Sequence, residues 1–447
     1  MSANDRLRGV SVVVAGAGLA GLTAARTLEA DGAAVTVVEA RDRVGGRVWT
    51  IRDGFRDGQH AEAGADLIEE EQQGVRDLAA GLRLPAVPIL RRGWGFYGLD
   101  ASGRKRRVYG APKTFAIAAR RLRPEIADYK AAGKRSDSAV GTTLARRSVR
   151  QWLESGVADP VLAAGVKGLR GFFLADPEDL SLLVLVEQFA SDGTPGTGRM
   201  FRLKGGNDRL PLAMARALRG PLLLDTAVRR IVQDAAGPVR VTVEERGASR
   251  ELRADFVVAA IPASTLRDVG FEPGLPDEQR RAIESLRYGC ATRVLLQFER
   301  RFWTRRGRPR AFGTDLPIGA VWDANEQQHG PSGILTLLAG GSASRETQSI
   351  LAAEGEPGIA RRLAWLGTPS RLVASRSLSW EADPWARGGY AYFHPGFDPR
   401  LRAWLPRPFG RVLFAGEYTS DQWQGYMNGA VESGRRAAVE VRALASP

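Results

Sequence analysis

Val12-Val13-Val14-Ala15-Gly16-Ala17-Gly18-Leu19-Ala20-Gly21 joins a β-branched run directly to three glycines spaced G-x-G-x-x-G. Leu22 to Leu28 follow as an apolar helical segment, and Ala34-Val35-Thr36-Val37-Val38 then reads as a second strand ending on Glu39. Each part has a physical task. Gly16 lets the chain turn sharply off the strand, Gly18 lets backbone approach a pyrophosphate, and Gly21 lets helix and strand pack closely. The helix N-terminus, at Leu19 and Ala20, offers unpaired N–H groups and a positive dipole end to an anion. Glu39 stands where a carboxylate accepts hydrogen bonds from a ribose 2′-hydroxyl. The glycine pattern alone is a weak signal. With the strand before it, the helix after it and the acid at its close, it reads as the dinucleotide site of an α/β, Rossmann-like domain.

The chain continues Glu39-Ala40-Arg41-Asp42-Arg43-Val44-Gly45-Gly46-Arg47. A second glycine pair among arginines suits the far side of a pyrophosphate, since glycine admits close approach and arginine supplies bidentate charge. Near the other end, Val412-Leu413-Phe414-Ala415-Gly416-Glu417 is a short apolar strand closed by a glycine and an acid. Trp423-Gln424-Gly425-Tyr426-Met427-Asn428-Gly429-Ala430-Val431-Glu432-Ser433-Gly434 opens a helix that runs to about Leu444. On these two motifs the chain resembles the FAD-dependent amine oxidase family (monoamine, polyamine and L-amino-acid oxidases) over nearly its whole length. The resemblance implies an FAD cofactor and a two-domain α/β architecture of the GR2 type. It also implies that Gly416 and Glu417 contact the ribityl–phosphate portion. The helix starting at Met427 would point its N-terminus at the pyrimidine edge of the flavin, where that dipole end favours negative charge.

At 447 residues, two domains are the default. No run of eighteen uncharged apolar residues exists, so no membrane span is expected. Met1 to Gly9 is short and polar, the chain stops as soon as the last helix does, and Cys290 is the single cysteine. A cytoplasmic, reducing location without leader, tail anchor or disulfide is the expectation. The three histidines and the cysteine lie far apart in sequence, so no metal site is expected. The formal net charge is +14, and residues 91–150 hold sixteen Lys/Arg against four Asp/Glu. No nucleic-acid fold signature accompanies that charge. It reads as a solvated helical face, or as a homodimer surface meeting an acidic patch such as Glu69-Glu70-Glu71 of another subunit.

The flavin-binding segments are expected at 1–72, 200–284 and 376–447. The second begins with Phe201-Arg202-Leu203-Lys204-Gly205-Gly206-Asn207, a glycine loop before a helix, and continues through strands at 222–224, 227–232, 239–244 and 256–260. In the family such a strand brings the backbone of a valine, here Val228, to the adenine. Residues 73–199 and 285–375 form a discontinuous α+β substrate domain. Its helices are expected at 75–82, 112–123, 139–155 and 180–189, with a loop at 191–198 and a long strand at 291–298.

The resemblance assigns the chemistry to hydride transfer from a C–H beside nitrogen to the flavin. Aromatic walls suit this, because desolvation lowers the pKa of the ammonium and ring faces still tolerate an amine. Tyr426 holds the place of one cage wall in monoamine oxidases, or packs under the helix as a core residue. In the run Gly388-Gly389-Tyr390-Ala391-Tyr392-Phe393-His394-Pro395-Gly396, the register puts Gly389 at the second wall and Gly388 at the flavin-bonding cysteine. Noncovalent FAD and an open second wall follow, with Tyr390 as a substitute lining residue. Trp380 and Trp423 resemble family tryptophans near the flavin, with core packing as the alternative. Glu62-Ala63-Gly64-Ala65-Asp66 resembles the segment that passes close to the isoalloxazine, Gly64 permitting the approach. His60 and His394 read as structural. Arg293 replaces a lysine tied through water to the flavin in many relatives. Arginine keeps its proton and differs in geometry, so three roles stand open: a changed oxygen step, a substrate carboxylate clamp, or an outward-facing side chain. The implied reaction turns a small amine into an imine, with oxygen or another acceptor and hydrogen peroxide where oxygen serves. The alternatives are an L-amino-acid oxidase, a desaturase of a nonamine metabolite, and a flavin-binding protein without turnover.

Overall fold

A computed structural model describes residues 6–100, 102–190, 198–234 and 237–445. The loop expected at 191–198 lies, apart from Gly198, outside the described residues, as do residues 1–5, 446 and 447. The β-branched run is the strand Ser11–Ala15, which lies at the centre of a five-stranded parallel sheet. The order is Leu222–Leu223, Ala34–Val38, Ser11–Ala15, Phe256–Ala259, Val412–Phe414. Val12, Val13 and Val14 are buried because helices or a second sheet cover both faces. One covering helix is Leu19–Ala30; it packs on the C-terminal helix Met427–Ala445. The contact is close enough that a Cβ on Gly434 would lie 2.9 Å from Thr23 Cβ and also overlap the Ala20 carbonyl.

The four-stranded sheet beside it runs in the order Ala248–Ala254, Val239–Glu245, Thr226–Val232, Gly270–Glu272. Val239, Val241 and Val243 alternate inward as the pattern implied. Ala248–Ala254 was not anticipated. It is an edge strand of mostly exposed polar residues, ASRELRA, so it carries no apolar alternation to read.

The largest sheet has seven strands, in the order Leu372–Ser379, Ala291–Phe298, Gly333–Gly340, Ala320–Asp323, Ala311–Thr314, Trp94–Leu99, Arg106–Gly110. Every residue of Ala291–Phe298 is buried, including Thr292, Arg293 and Gln297. The boundary expected at 376 falls inside Leu372–Ser379, whose hydrogen-bonded neighbour is Ala291–Phe298. The single helix expected at 139–155 is two, Ala139–Arg146 and Val149–Glu154. Arg147 leaves the first helix in extended backbone, and Ser148 starts the second with a capping box to Gln151.

Candidate active site

Between the two large sheets lies a cavity of about 1610 Å³, and the two glycine turns at Gly16–Gly18 and Gly45–Gly46 open onto it. Gly16 has φ +108°, and a Cβ there would sit 2.6 Å from the Ala260 carbonyl oxygen. Gly21 is on the far side of the turn, against the Gly16 carbonyl, and does not line the cavity. Gly18 is different: a Cβ there would meet nothing within 4 Å, so it leaves bare backbone facing the open space at the helix N-terminus. The second glycine pair lies directly against it. Gly45 donates its N–H to Ala17 O at 2.9 Å, and Gly45 and Gly18 form an isolated parallel bridge.

Glu39 holds this turn from the next strand. Its carboxylate accepts from Ala17 N–H at 2.8 Å and from Arg41 N–H at 3.0 Å. Burial pushes its pKa up, against the lowering effect of those bonds. Arg41 reaches Asp383 at 2.6 Å, and Arg47 donates to Glu417 at 2.6 Å and to Gly389 O at 2.8 Å. Sequence motifs some 370 residues apart therefore meet in one ion pair. Ala20, Ala40, Gly46, Ala65, Val228, Gly416, Trp423 and Met427 all line the same cavity.

Several expectations change in detail. The missing side chain of Gly64 faces the Arg47 carbonyl and the Trp380 ring, so glycine is needed there for packing against protein. Its carbonyl accepts from Arg293 Nη2 at 2.7 Å. The Asp66 carboxylate is engaged by protein, with Arg202 Nη2 at 3.2 Å and the Trp322 indole at 2.7 Å. Arg293 does not face outward. It is 3% exposed, donates also to Thr336 Oγ1 at 3.0 Å, and its guanidinium carbon lies 5.0 Å from the Trp322 ring centre. Burial pulls its pKa below the usual arginine value, against the pull of Asp66. Trp380 donates to Ala63 O at 3.0 Å.

Tyr426, Tyr390, Trp380 and Arg293 are brought together as lining residues. Tyr426 meets Trp423 edge-on at 5.5 Å, and Tyr390 donates its hydroxyl to Phe172 O. Gly388 has φ +144°, and a side chain there would run into Tyr288 rather than the cavity. Neither histidine lines it. His394 contacts the Pro395 and Ser285 carbonyls, and burial followed by Arg52 drops the His60 pKa to about 4.

The acidic run expected on a subunit surface belongs partly to the site. Glu69 and Glu71 line the cavity, while Glu70 pairs with Arg199. Burial, then Glu71, raise Glu69 to about 7. The Tyr426 phenol is pushed up by burial, then by Glu69, Tyr390 and Glu71. Leu174, Phe172 and Trp322 also line the site. No motif marks them; Phe172 and Leu174 belong to the short helix Arg170–Phe173 and its C-terminal end, Trp322 to a strand, and their local sequence reads as ordinary core.

Five buried polar atoms on lining residues have no partner among the described residues: Arg293 Nε, Arg402 Nε, Glu417 Oε2, the Tyr418 hydroxyl and the Gln424 amide nitrogen. A protein seldom leaves such groups bare. Together with the open backbone at Gly18, they fit a long polar dinucleotide. The family pattern described as flavin containing amine oxidoreductase matches residues 19–442. This chain belongs to that family. It is 31% identical to a putative flavin-containing monoamine oxidase, AofH, of Mycobacterium tuberculosis, over 97% of each chain. It is 30% identical to a putative L-amino-acid oxidase, YobN, of Bacillus subtilis, over 97% of this chain and 95% of that one. Among solved structures, cyclohexylamine oxidase from Brevibacterium oxydans superposes with a TM-score of 0.83 at 26% identity, covering 97% of this chain and 99% of that one. The protein is thus an oxidoreductase of the flavin amine oxidase fold, and its cofactor is FAD, bound noncovalently. The sole thiol, Cys290, is not among the lining residues. No helix among the described residues is long and apolar enough to cross a membrane.

Proposed function

We propose that this flavin amine oxidoreductase oxidises the C–N bond of a small amine to an imine, with oxygen as the final acceptor and hydrogen peroxide as its product. The two discontinuous units inferred from the sequence would supply the nucleotide site and the substrate chamber. FAD, when bound, supplies the two-electron acceptor for the hydride. The residues expected to hold it are the Gly16–Gly21 turn, Glu39, the Gly45–Arg47 turn, Val228, and Gly416–Glu417 with the helix start at Met427.

The observation that carries the amine reading is the charge at the substrate end. Glu69 and Glu71 line the cavity near Tyr426, as their effect on its phenol records. Glu71, joined by Glu69 in its ionised form above its raised pKa of about 7, draws in a cationic amine and repels a carboxylate. Tyr426, Tyr390 and Trp380 then offer apolar walls that strip water from the ammonium and favour the neutral amine needed for hydride loss. Arg293 is a poor carboxylate clamp, because both of its terminal nitrogens are committed to Gly64 O and Thr336. Only its Nε is without a partner, and that atom is the basis of the competing amino-acid reading.

An anaerobic screen separates the two. Bleaching of the flavin by amines and not by L-amino acids supports the proposal. Bleaching by amino acids alone replaces it with an amino-acid oxidase. A yellow protein inert to amines, amino acids and alcohols would make it a binding protein.

A further inference from the structure

The segment after the short helix Arg170–Phe173 is built into the substrate chamber in an unusual way. Leu174 has φ +55° and ψ +21°, a left-handed conformation that disfavours a branched, bulky side chain. It is 1% exposed to solvent and yet lines the cavity. Three glycines from three separate strands or turns close around it. A Cβ on Gly340 would sit 2.7 Å from Leu174 Cα. A Cβ on Gly289 would overlap Leu174 Cβ, and one on Gly389 would overlap Leu174 Cδ1. Asp176 clamps the segment from below, accepting from Ser342 N–H at 2.7 Å and from its hydroxyl at 2.8 Å. Strain at Leu174 is thus held by surroundings shaped to receive it.

The space taken by Leu174 Cδ1 is the space a side chain at position 389 would enter. Gly389 has no left-handed φ, so its backbone would accept a side chain, and the next obstacle, Ala291 Cβ, stands 3.1 Å away. Leu174 packs in one cluster with Trp380, Ala291 and Tyr390. An aliphatic side chain therefore forms part of the wall that also contains those two aromatic rings.

We infer, on the reading that the protein oxidises amines, that Leu174 is a specificity-determining residue. It replaces a wall from position 389 and selects amines whose nitrogen-bearing carbon belongs to a saturated branched or alicyclic skeleton over flat benzylic amines. A branched aliphatic wall matches the thickness of such a skeleton by van der Waals contact, whereas a flat ring against it leaves gaps that forfeit that attraction.

The test uses the FAD-loaded enzyme with cyclohexylamine and benzylamine as probes. Leu174→Gly, which keeps the left-handed backbone comfortable, should lower the cyclohexylamine-to-benzylamine ratio of kcat/KM at least tenfold, mainly through the cyclohexylamine KM. A second readout needs no turnover. 1-Methylcyclohexylamine has no hydrogen on its nitrogen-bearing carbon, so it binds without being oxidised. Its Kd, followed by perturbation of the flavin spectrum, should rise in step. Gly389→Ala, whose methyl is aimed at Leu174 Cδ1, should weaken that binding alone but not in the Leu174→Gly background. If Leu174→Gly does not fold, Leu174→Ala carries the same test. A ratio and a Kd that both stay within twofold of wild type would overturn the inference. Wild-type enzyme bleached by no amine would instead sink the amine reading on which it rests.

Discussion

Replacing Glu39 with alanine acts twice, once on the empty protein and once on its ligand. In the folded chain the carboxylate takes two backbone N–H groups, Ala17 at 2.8 Å and Arg41 at 3.0 Å. Hydrogen bonds to a charged group contribute about 1.5–3 kcal/mol each. For the ionised carboxylate burial outweighs these bonds, which is why its pKa is raised; truncation still leaves two backbone N–H groups without an acceptor, at about 1–3 kcal/mol each, part of which entering water recovers. A net loss of roughly 2 kcal/mol from the apoprotein is expected on those terms. The ligand term comes on top. A ribose hydroxyl lost from a carboxylate is worth about 1.5–3 kcal/mol, or roughly a 10- to 150-fold rise in the Kd for FAD. The assay is denaturant unfolding of apoprotein beside FAD titration followed by protein fluorescence. Glu39→Gln should fall between, because its amide meets one of the two N–H groups with another donor. An apoprotein as stable as wild type would refute the idea that Glu39 holds the glycine turn. A Kd shifted less than threefold would refute its contact with the ribose.

The other predictions concern the cofactor link, the walls and the buried charges. Acid precipitation should release all the FAD into solution; yellow colour kept by the precipitate would contradict noncovalent binding. Tyr426→Ala should slow anaerobic bleaching by an amine while FAD stays bound, and an unchanged rate would make Tyr426 a packing residue. Arg293→Lys should speed reoxidation by oxygen more than it alters reduction in stopped-flow traces, and it should lower thermal stability because lysine cannot serve both Gly64 O and Thr336. Should it abolish reduction by one carboxylate-bearing substrate instead, Arg293 is a clamp. Glu62 is raised to about 8 by burial, then by Asp66, from an ordinary value of 4.5. Between those two values the folded state keeps a proton that the unfolded state has lost, so stability falls as pH rises. Glu62→Gln should remove up to about 1.4 kcal/mol per pH unit of that slope. Parallel unfolding curves for both proteins at pH 5 through 8 would show the assignment wrong.

The parts of the fold written in backbone chemistry were legible. Gly16, Gly18 and Gly21 have different jobs because a missing Cβ matters differently at each, and the spacing alone announces that. The parallel strand Phe256–Ala259 could be read from its unbroken apolar run, as could Val412–Phe414. The polar edge strand Ala248–Ala254 could not, since its side chains face water and its pairing is set by Val239–Glu245. Site residues were legible where a motif placed them. Glu69 and Glu71 looked like surface charge because nothing local says that Ile68–Glu69 is folded against Met200–Leu203, at the chamber wall. Leu174 was invisible for a deeper reason: its role is set by glycines 115, 166 and 215 residues further along the chain. Arg293 could be placed on its strand, but its partners Gly64 and Thr336 belong to other segments.

The ion pair between Arg47 and Glu417 has a bearing on how this protein is made. The first strand, Ser11–Ala15, has one neighbour nearby in sequence and another, Phe256–Ala259, about 240 residues later. The sheet is completed only by Val412–Phe414, and Arg47 gains its acid only when Glu417 arrives. A chain emerging from the ribosome therefore carries the most recognisable half of its nucleotide site for most of its synthesis without the half that closes it. Such late, long-range closure slows folding and leaves strand edges open meanwhile. FAD would then be a seal applied at the end of assembly, and supply of the cofactor during expression would govern how much chain escapes aggregation.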